Sequence, residues 1–427
     1  MKYPDTYYAD EIGNIPQKPA LERDITVDTC VIGAGLAGLT TALELVRKGQ
    51  SVALLESHRV GWGASGCNGG SVLVGFAESS ANIAKKIGSE KAAKLHDLSR
   101  EGAEYIRKQI SDLNIEGALE GEGRYSAVRH GNSVAAKAQV LAENTPQDTG
   151  VVFLNHAETR KILDTEKYHH TVFIPNGFNI QPLRYVLGLA AEIDRLGGHI
   201  FEDTKALGLR QENDVWQVKC ASGVVTAKDV VLCTSAYDFD LCKTVSRAML
   251  PIATYVMASK PMAAQLDKAI KTTSAISDTR RSGDYYRRLK NGRLLWGGRI
   301  TTRTSKPGKL ANMLKADVVS VYPQLADIEL THHWEGLMGY TRHKMPLIGQ
   351  VDKNLWMATA FGGHGLNTTA MAGCLIAAAI AEKDETYRQF AAYKPVWAGG
   401  IFGRITVQLT YWGMRFRDRL DERRRPD

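Results

Sequence analysis

The stretch from Val27 to Glu56, VDTCVIGAGLAGLTTALELVRKGQSVALLE, constrains the fold more than any other part of the chain. Val27 to Ile32 is a short, largely β-branched run suited to a buried parallel strand. After a glycine turn, Leu36, Leu39, Leu43 and Val46 recur at helical spacing on one face. Gly49 stops that helix, and Val52 to Leu55 form the next strand. Strand, turn, helix and strand in this order predict a βαβ unit, and with it an α/β chain built on a parallel sheet.

The turn carries Gly33, Gly35 and Gly38 as G-x-G-x-x-G, with Ala34, Leu36 and Ala37 between them. In such a motif the first glycine permits the tight turn, the second lets the backbone approach a pyrophosphate, and the third lets helix pack closely on strand. Unpaired amides and the positive dipole end of the helix then face an anion. Glu56, 18 residues beyond Gly38, ends the second strand where a carboxylate can bind both hydroxyls of a ribose, with Ser57 beside it. An acid at that point disfavours a 2′-phosphate, so NADP is the least favoured ligand, while NAD and FAD both stay open.

Beyond Glu56, SHRVGWGASGCNGGSV packs glycines 61, 63, 66, 69 and 70 close together, which implies backbone wrapped around something flat or anionic. The candidates here are Gly63, Ala64, Ser65, Cys67, Asn68, Gly69 and Gly70. Near the far end of the chain the pattern recurs: the strand NLWMATA, Asn354 to Ala360, runs into FGGHGLNTTAMAG and an Ala-rich helix from about Leu366 to Ala381. NAD would leave this second glycine-rich helix start without a ligand group. FAD can use it, because a helix N-terminus near the pyrimidine edge of a flavin stabilises the anionic reduced ring. Gly362, Gly363, His364, Gly365, Leu366 and Asn367 therefore join the cofactor-binding set, and Leu207 is also expected beside the cofactor.

At 427 residues the chain is long enough for two domains. The expected organisation is an N-terminal arm (1–24), an FAD-binding domain in three pieces (25–78, 150–247 and 335–385), a substrate domain (79–149 and 248–334) and an amphipathic helical tail (386–427). The fold class is thus α/β, a Rossmann-like FAD-binding domain interleaved with a strand-rich α+β substrate domain. Helices are expected over 79–114, 133–144 and 182–196, and the strands of the second domain near 252–258, 285–289, 294–297 and 331–334.

The six cysteines form no C-x-x-C pair and no His/Cys cluster, so reduced thiols and no metal are expected. A net charge of +8 is spread along the chain without a nucleic-acid motif; an anionic substrate or membrane surface is compatible with it. The N-terminus lacks a basic-then-apolar signal pattern. The longest apolar run, Met371 to Ala381, is shorter than the roughly 20 residues needed to span a bilayer. The expectation is a cytoplasmic protein.

The chain resembles the D-amino-acid oxidase family of FAD-dependent oxidoreductases. The residues that carry the resemblance are the fingerprint from Gly33 to Glu56, GASGCNGG from Gly63, DYYRRLKNGRLLWGGR from Asp284, HWEGLMGYTRHKMPLIG from His333 and GGHGLNTTAMAG from Gly362. Within the family it looks most like the bacterial γ-glutamylputrescine oxidoreductases. The resemblance implies FAD, with Glu56 on the adenosine ribose and the two glycine-rich segments against the flavin. It also implies hydride transfer from an amine-bearing carbon to the flavin, giving an imine that water hydrolyses. Cys67 departs from the family: relatives with ASGRNGG have arginine there. A small buried thiol is preferred to a covalent flavin link at that position.

Five residues are candidates for the reacting end. Arg299, after Gly297-Gly298, has the chemistry to clamp a substrate carboxylate, against the reading of a surface ion pair. Tyr286 and Tyr285 alternate faces of one strand, so at most one meets the substrate, and Tyr286 is chosen. Trp334 is a site or core aromatic. Lys344 stands where the family has a basic residue close to the flavin, able to stabilise the reduced ring or assist oxygen reduction, against the reading of a surface charge. His364 lies between glycines at the helix start. In the tail, Phe402, Ile405, Leu409, Trp412 and Phe416 form an apolar stripe, read first as the face docked on the protein and second as an interfacial helix on anionic lipid. The electron acceptor is oxygen or a quinone-linked carrier, and in the second reading the protein contacts the inner face of the membrane. The competing activity is a dehydrogenase for cyclic imino acids such as pipecolate or proline; the competing class is a non-catalytic flavoprotein redox sensor.

Overall fold

The computed structural model describes residues 1–129, 150–237, 240–302 and 308–422. The helix expected over 133–144 lies outside the described residues. Two sheets organise the rest. In the first, Leu355–Thr359, Val224–Leu232, Ile25–Ile32, Val52–Leu55 and His199–Phe201 lie side by side and parallel, with Leu347–Asp352 antiparallel on the outer edge. The fingerprint strand Ile25–Ile32 is central. The chain goes from it to Val52–Leu55 on one side and returns later to Val224–Leu232 on the other, which makes its C-terminal end the switch point where doubly wound sheets open a crevice. Gly208–Glu212 and Val215–Lys219 extend this sheet as a meander off Val224–Leu232.

The helix Leu36–Arg47 is buried on nearly all sides, not only along the stripe read from its spacing. One side lies on the sheet and another against the helix Gly365–Glu382. There Gly373 permits the approach: a Cβ on it would come within 2.6 Å of Thr40 Cβ. Gly365–Glu382 has the length and apolarity of a membrane span, yet most of it is core. Burial of side chains such as Leu39 and Leu43 stabilises this layer by about 1.5–3 kcal/mol each.

The second sheet runs Leu330–Thr341, Met249–Ser259, Leu294–Thr301, Tyr285–Arg288, Ala275–Asp278, Leu119–Val128, His170–Ile180 and Ser71–Val72, with Val152–Leu154 beside His170–Ile180. All pairs are antiparallel except Ala275–Asp278 with Leu119–Val128. The segment 150–180, expected with the dinucleotide sheet, contributes its strands here instead. Its run HTVFIPNGFNI pairs with Leu119–Val128, a partner that local pattern alone does not reveal.

Both chain ends depart from expectation. The N-terminal arm is not merely draped over the surface: Tyr7–Ile12 is a short helix, and Tyr8 is fully buried, edge-on to Trp334 at 5.6 Å. At the other end the helix Gly400–Asp421 docks by its polar side. Its apolar stripe faces outward, the reverse of the first reading.

Candidate active site

A cavity of about 470 Å³ opens between the two sheets at the C-terminal end of the fingerprint strand. One end is lined by Gly33, Ala34, Gly35, Leu36 and Ala37, with Glu56, Ser57, Thr204 and Lys205 beyond them. Gly33 has φ of +106°, and a Cβ there would sit 2.8 Å from the Cys233 carbonyl. A Cβ on Gly38 would lie inside the Gly33 carbonyl, at 1.9 Å, so the third glycine holds helix to turn without itself lining the cavity. Glu56 accepts from the amides of Ala34 (2.8 Å) and His58 (2.9 Å). Burial raises its carboxyl above the usual range, and those two amides oppose the rise.

The loop Gly63–Gly70 closes the middle of the cavity. Ser65 Oγ accepts from the Leu36 amide at 2.9 Å, at the first turn of the fingerprint helix. Asn68 holds the loop together, donating to the carbonyls of Ala64 and Ser65 and accepting from Gly70. From behind, Arg287 donates to the carbonyls of Gly69 and Ile180 (both 3.0 Å) and pairs with the buried Glu120. Cys67 is a buried thiol against the Trp62 carbonyl, and loss of solvent pushes its pKa up to about 12.

The helix start Gly362–Asn367 lies across from this loop. His364 Nε2 is 3.3 Å from the Val74 carbonyl. Burial, with the positive charge of Arg124 nearby, pushes the His364 pKa down to about 4, so the ring is neutral at ordinary pH. Asn367 is buried and ties the helix to Gly75 and Ser99. The second sheet supplies the facing wall: Arg124, Thr254, Ala275 to Ser277, Tyr285, Gly298, Ile300, Met338 and Tyr340.

Of the expected reacting residues, His364 alone lines the cavity. Arg299 has φ of +54° and turns away from it, pairing with Asp317 (Nη2 to Oδ1, 2.8 Å) on the helix Leu310–Val321. The ion-pair reading therefore describes it, and it does not clamp a ligand in the cavity. Tyr286 points into the core, stacked on Trp296 at 4.2 Å with its hydroxyl 2.7 Å from that of Tyr322. Tyr285 takes the cavity side. Its ring passes between Gly69 and Gly297, where a Cβ would come within 2.6 and 2.2 Å of it respectively. Lys344 is exposed in a turn with φ of +58° and lies outside the lining. Trp334 sits behind the loop and donates from Nε1 to the Cys67 carbonyl. Leu207 is 55% exposed; its neighbours Lys205 and Ala206 line the cavity instead.

Sequence reading missed Arg124, Tyr237 and Tyr340, and preferred Tyr286 to Tyr285. Tyr285 left a signal: it stands directly opposite Gly297 in an antiparallel pair, and Gly69 clears its other side. Arg124 left none, because the strands that pair with its own, Ala275–Asp278 and His170–Ile180, lie far along the chain.

The glycine cradles fit a flavin dinucleotide. A Cβ on Gly33 would collide with the Cys233 backbone and one on Gly35 with Ser65 Oγ, and Glu56 ends the strand at the ribose position. The cavity then continues past the pyrophosphate turn to a second helix N-terminus, farther than NAD needs.

Residues 28–379 match the family described as DAO, FAD dependent oxidoreductase. Over 424 residues the chain is 30% identical to a probable oxidoreductase, OrdL, of Haemophilus influenzae, covering 97% of each. It is 28% identical over 392 residues to gamma-glutamylputrescine oxidoreductase of Escherichia coli, covering 91% of this chain and 92% of that one. Glycine oxidase from Bacillus cereus shares the fold, with a TM-score of 0.70 at 20% identity, covering 85% of this chain and 97% of that one. FAD is the cofactor of this family, and amines or amino acids are its donors. The chain is an enzyme of the DAO family of FAD-dependent oxidoreductases.

Proposed function

We propose that this enzyme oxidises the C–N bond of a small amine that also carries a carboxylate, with a γ-glutamylputrescine-like compound as the first candidate. The observation that carries the reading is the charge of the substrate-side wall. Among the described lining residues Arg124 is the one cation on the second sheet, and the one carboxylate is Glu56, at the ribose end. A plain diamine finds no anionic partner on that wall, whereas a carboxylate finds a guanidinium able to bind it through two hydrogen bonds. The resemblance to the Escherichia coli enzyme over nearly its whole length selects the compound to try first.

FAD, when bound, supplies the two-electron acceptor for hydride leaving the carbon that bears nitrogen. The chain's own residues then do three things. Arg124 anchors the far end of the substrate and so fixes which carbon is presented. Tyr285 and Tyr340 wall the site, with hydroxyls available to orient a neutral amine. His364, uncharged, and the amides opening the helix Gly365–Glu382 provide a polar but proton-poor edge. An amine that enters neutral needs no general base. The acceptor that reoxidises the enzyme is oxygen or a quinone-linked carrier, and the enzyme works in the cytoplasm or at the inner face of the membrane.

The test is anaerobic: candidate amines are added singly while flavin absorbance is followed. Bleaching by γ-glutamylputrescine but not putrescine supports the reading, and Arg124→Gln then raises the half-saturating concentration. Bleaching by pipecolate or proline keeps the carboxylate anchor and replaces the substrate. Bleaching by putrescine, undiminished in Arg124→Gln, removes the anchor altogether.

A further inference from the structure

The helix Gly400–Asp421 is amphipathic in the ordinary sense, but it is mounted the wrong way round. Its polar stripe faces the protein. Gln408 accepts from Thr301 Oγ1 (2.9 Å) and the Thr302 amide (3.0 Å), Arg404 donates to the Thr302 carbonyl (2.7 Å), and Asp418 takes the guanidinium and amide of Arg281. Tyr411, one of the few buried residues of the helix, uses its hydroxyl on both the Ile300 amide and Ser282 Oγ, each at 2.7 Å. Residues 404, 408, 411, 415 and 418 follow a spacing of four and three, one face of a helix.

The opposite face is apolar and open. Ile401, Phe402, Ile405, Leu409, Trp412 and Phe416 are all more than half exposed, with Phe402 at 77% and Phe416 at 61%. A stripe with this many large side chains, running most of the length of the helix, exceeds the scattered apolar exposure of an ordinary surface. Trp397, 62% exposed, continues it just before the helix.

Charge decides between the possible covers. The acids at this end of the helix are held in ion pairs: buried Asp418 and half-buried Asp421 pair with Arg281, and Glu422, exposed at the C-cap, pairs with Arg129. Arg417 and Arg419 remain exposed on either side of the stripe. An apolar stripe with aromatic residues, flanked by exposed arginines while the nearby acids are neutralised in ion pairs, matches the interface of an anionic bilayer, where apolar side chains enter the headgroup boundary and cations meet phosphate. Two copies placed face to face would instead bring like charges together.

We infer that this helix docks the enzyme on an anionic membrane surface by its outward apolar stripe. The docking also sets an orientation. Ile300, whose amide Tyr411 holds, and Gly283, next to Ser282, line the cavity, so the wall of the substrate side is braced by the helix that meets the lipid.

The test uses the full-length FAD-loaded enzyme and sedimentation with vesicles, either phosphatidylcholine alone or phosphatidylcholine mixed with phosphatidylglycerol. The expected result is binding to the anionic vesicles that weakens in high salt, with a weaker response to neutral ones. The double variant Phe402→Glu/Trp412→Glu should lower that binding by at least roughly 10-fold while keeping bound flavin, and Arg417→Glu/Arg419→Glu should remove the preference for anionic lipid. Failure to bind either vesicle, or binding that the first double variant leaves intact, overturns the inference. So does a lipid-free dimer that this variant splits in an enzyme that ignores vesicles, which would assign the stripe to a second copy.

Discussion

The indole nitrogen of Trp334 donates a 2.7 Å hydrogen bond to the backbone carbonyl of Cys67, joining the long strand Leu330–Thr341 of one sheet to the glycine-rich loop that closes the cavity under the other. Neither residue needs to touch substrate for this bond to matter. A loop containing Gly63, Gly66, Gly69 and Gly70 has little stiffness of its own. Trp334→Phe keeps the ring against Tyr8 but leaves the carbonyl without its donor. Stability should fall by about 1–2 kcal/mol, read as a lower denaturant midpoint, and FAD should dissociate several-fold more readily in a fluorescence titration.

Arg287 braces the same loop from another side, and its ion pair with Glu120 is almost free of solvent. Removing one member of a buried pair strands the other. Arg287→Met should therefore destabilise the protein by about 3–5 kcal/mol, and adding Glu120→Gln should return part of that loss. Urea unfolding of the two variants distinguishes a stranded charge from a mere loss of packing, since packing loss alone would not be relieved by the second change.

The two neighbouring tyrosines should separate cleanly. Tyr286→Phe removes a hydroxyl shared with Tyr322 and Tyr168 in the core, costing about 1–2 kcal/mol of stability with little effect on turnover per folded molecule. Tyr285→Phe should cost less stability than Tyr286→Phe and instead lower kcat/KM, by roughly tenfold if its hydroxyl orients the amine. Steady-state rates and melting curves for both variants suffice.

His364 gives a signed pH dependence. Its folded pKa is near 4, below the 6.5 of an unhindered imidazole, so between those values the unfolded chain binds the extra proton. The stabilisation is complete above pH 6.5 and is lost as pH falls toward 4, by up to about 3 kcal/mol. In cofactor-stripped protein, His364→Gln should flatten the slope of stability against pH in that window. It should leave the pH profile of activity between 6 and 8 unchanged, because the ring does not titrate there.

The dinucleotide cradle was legible in the sequence because each of its parts is local: the three glycines, the helix spacing and Glu56 all lie within 30 residues. The second helix start, Gly362 to Asn367, was legible for the same reason. What escaped reading depends on distant partners. Arg299 is committed by Asp317, on a helix whose placement no local pattern reveals, and its left-handed backbone aims the side chain away from the ligand. Lys344 is carried outward by a similar backbone turn. Alternation split Tyr285 from Tyr286 but did not say which face of the strand was core. In the tail, periodicity located the apolar stripe, and the usual rule that such a stripe faces the core pointed it the wrong way.

The order of strands in the first sheet has a consequence for synthesis. Ile25–Ile32 is among the first segments to leave the ribosome, yet one of its flanking strands ends at Leu232, and the strand beyond that at Thr359. Tyr8 likewise waits for Arg287, 279 residues later. No N-terminal fragment shorter than about half the chain carries both neighbours of the signature strand, and contacts of such long range are slow to form. A growing chain thus displays its nucleotide signature from the start but acquires a complete crevice only when the helix at Gly365 has emerged, so cofactor capture belongs to the last stage of its assembly.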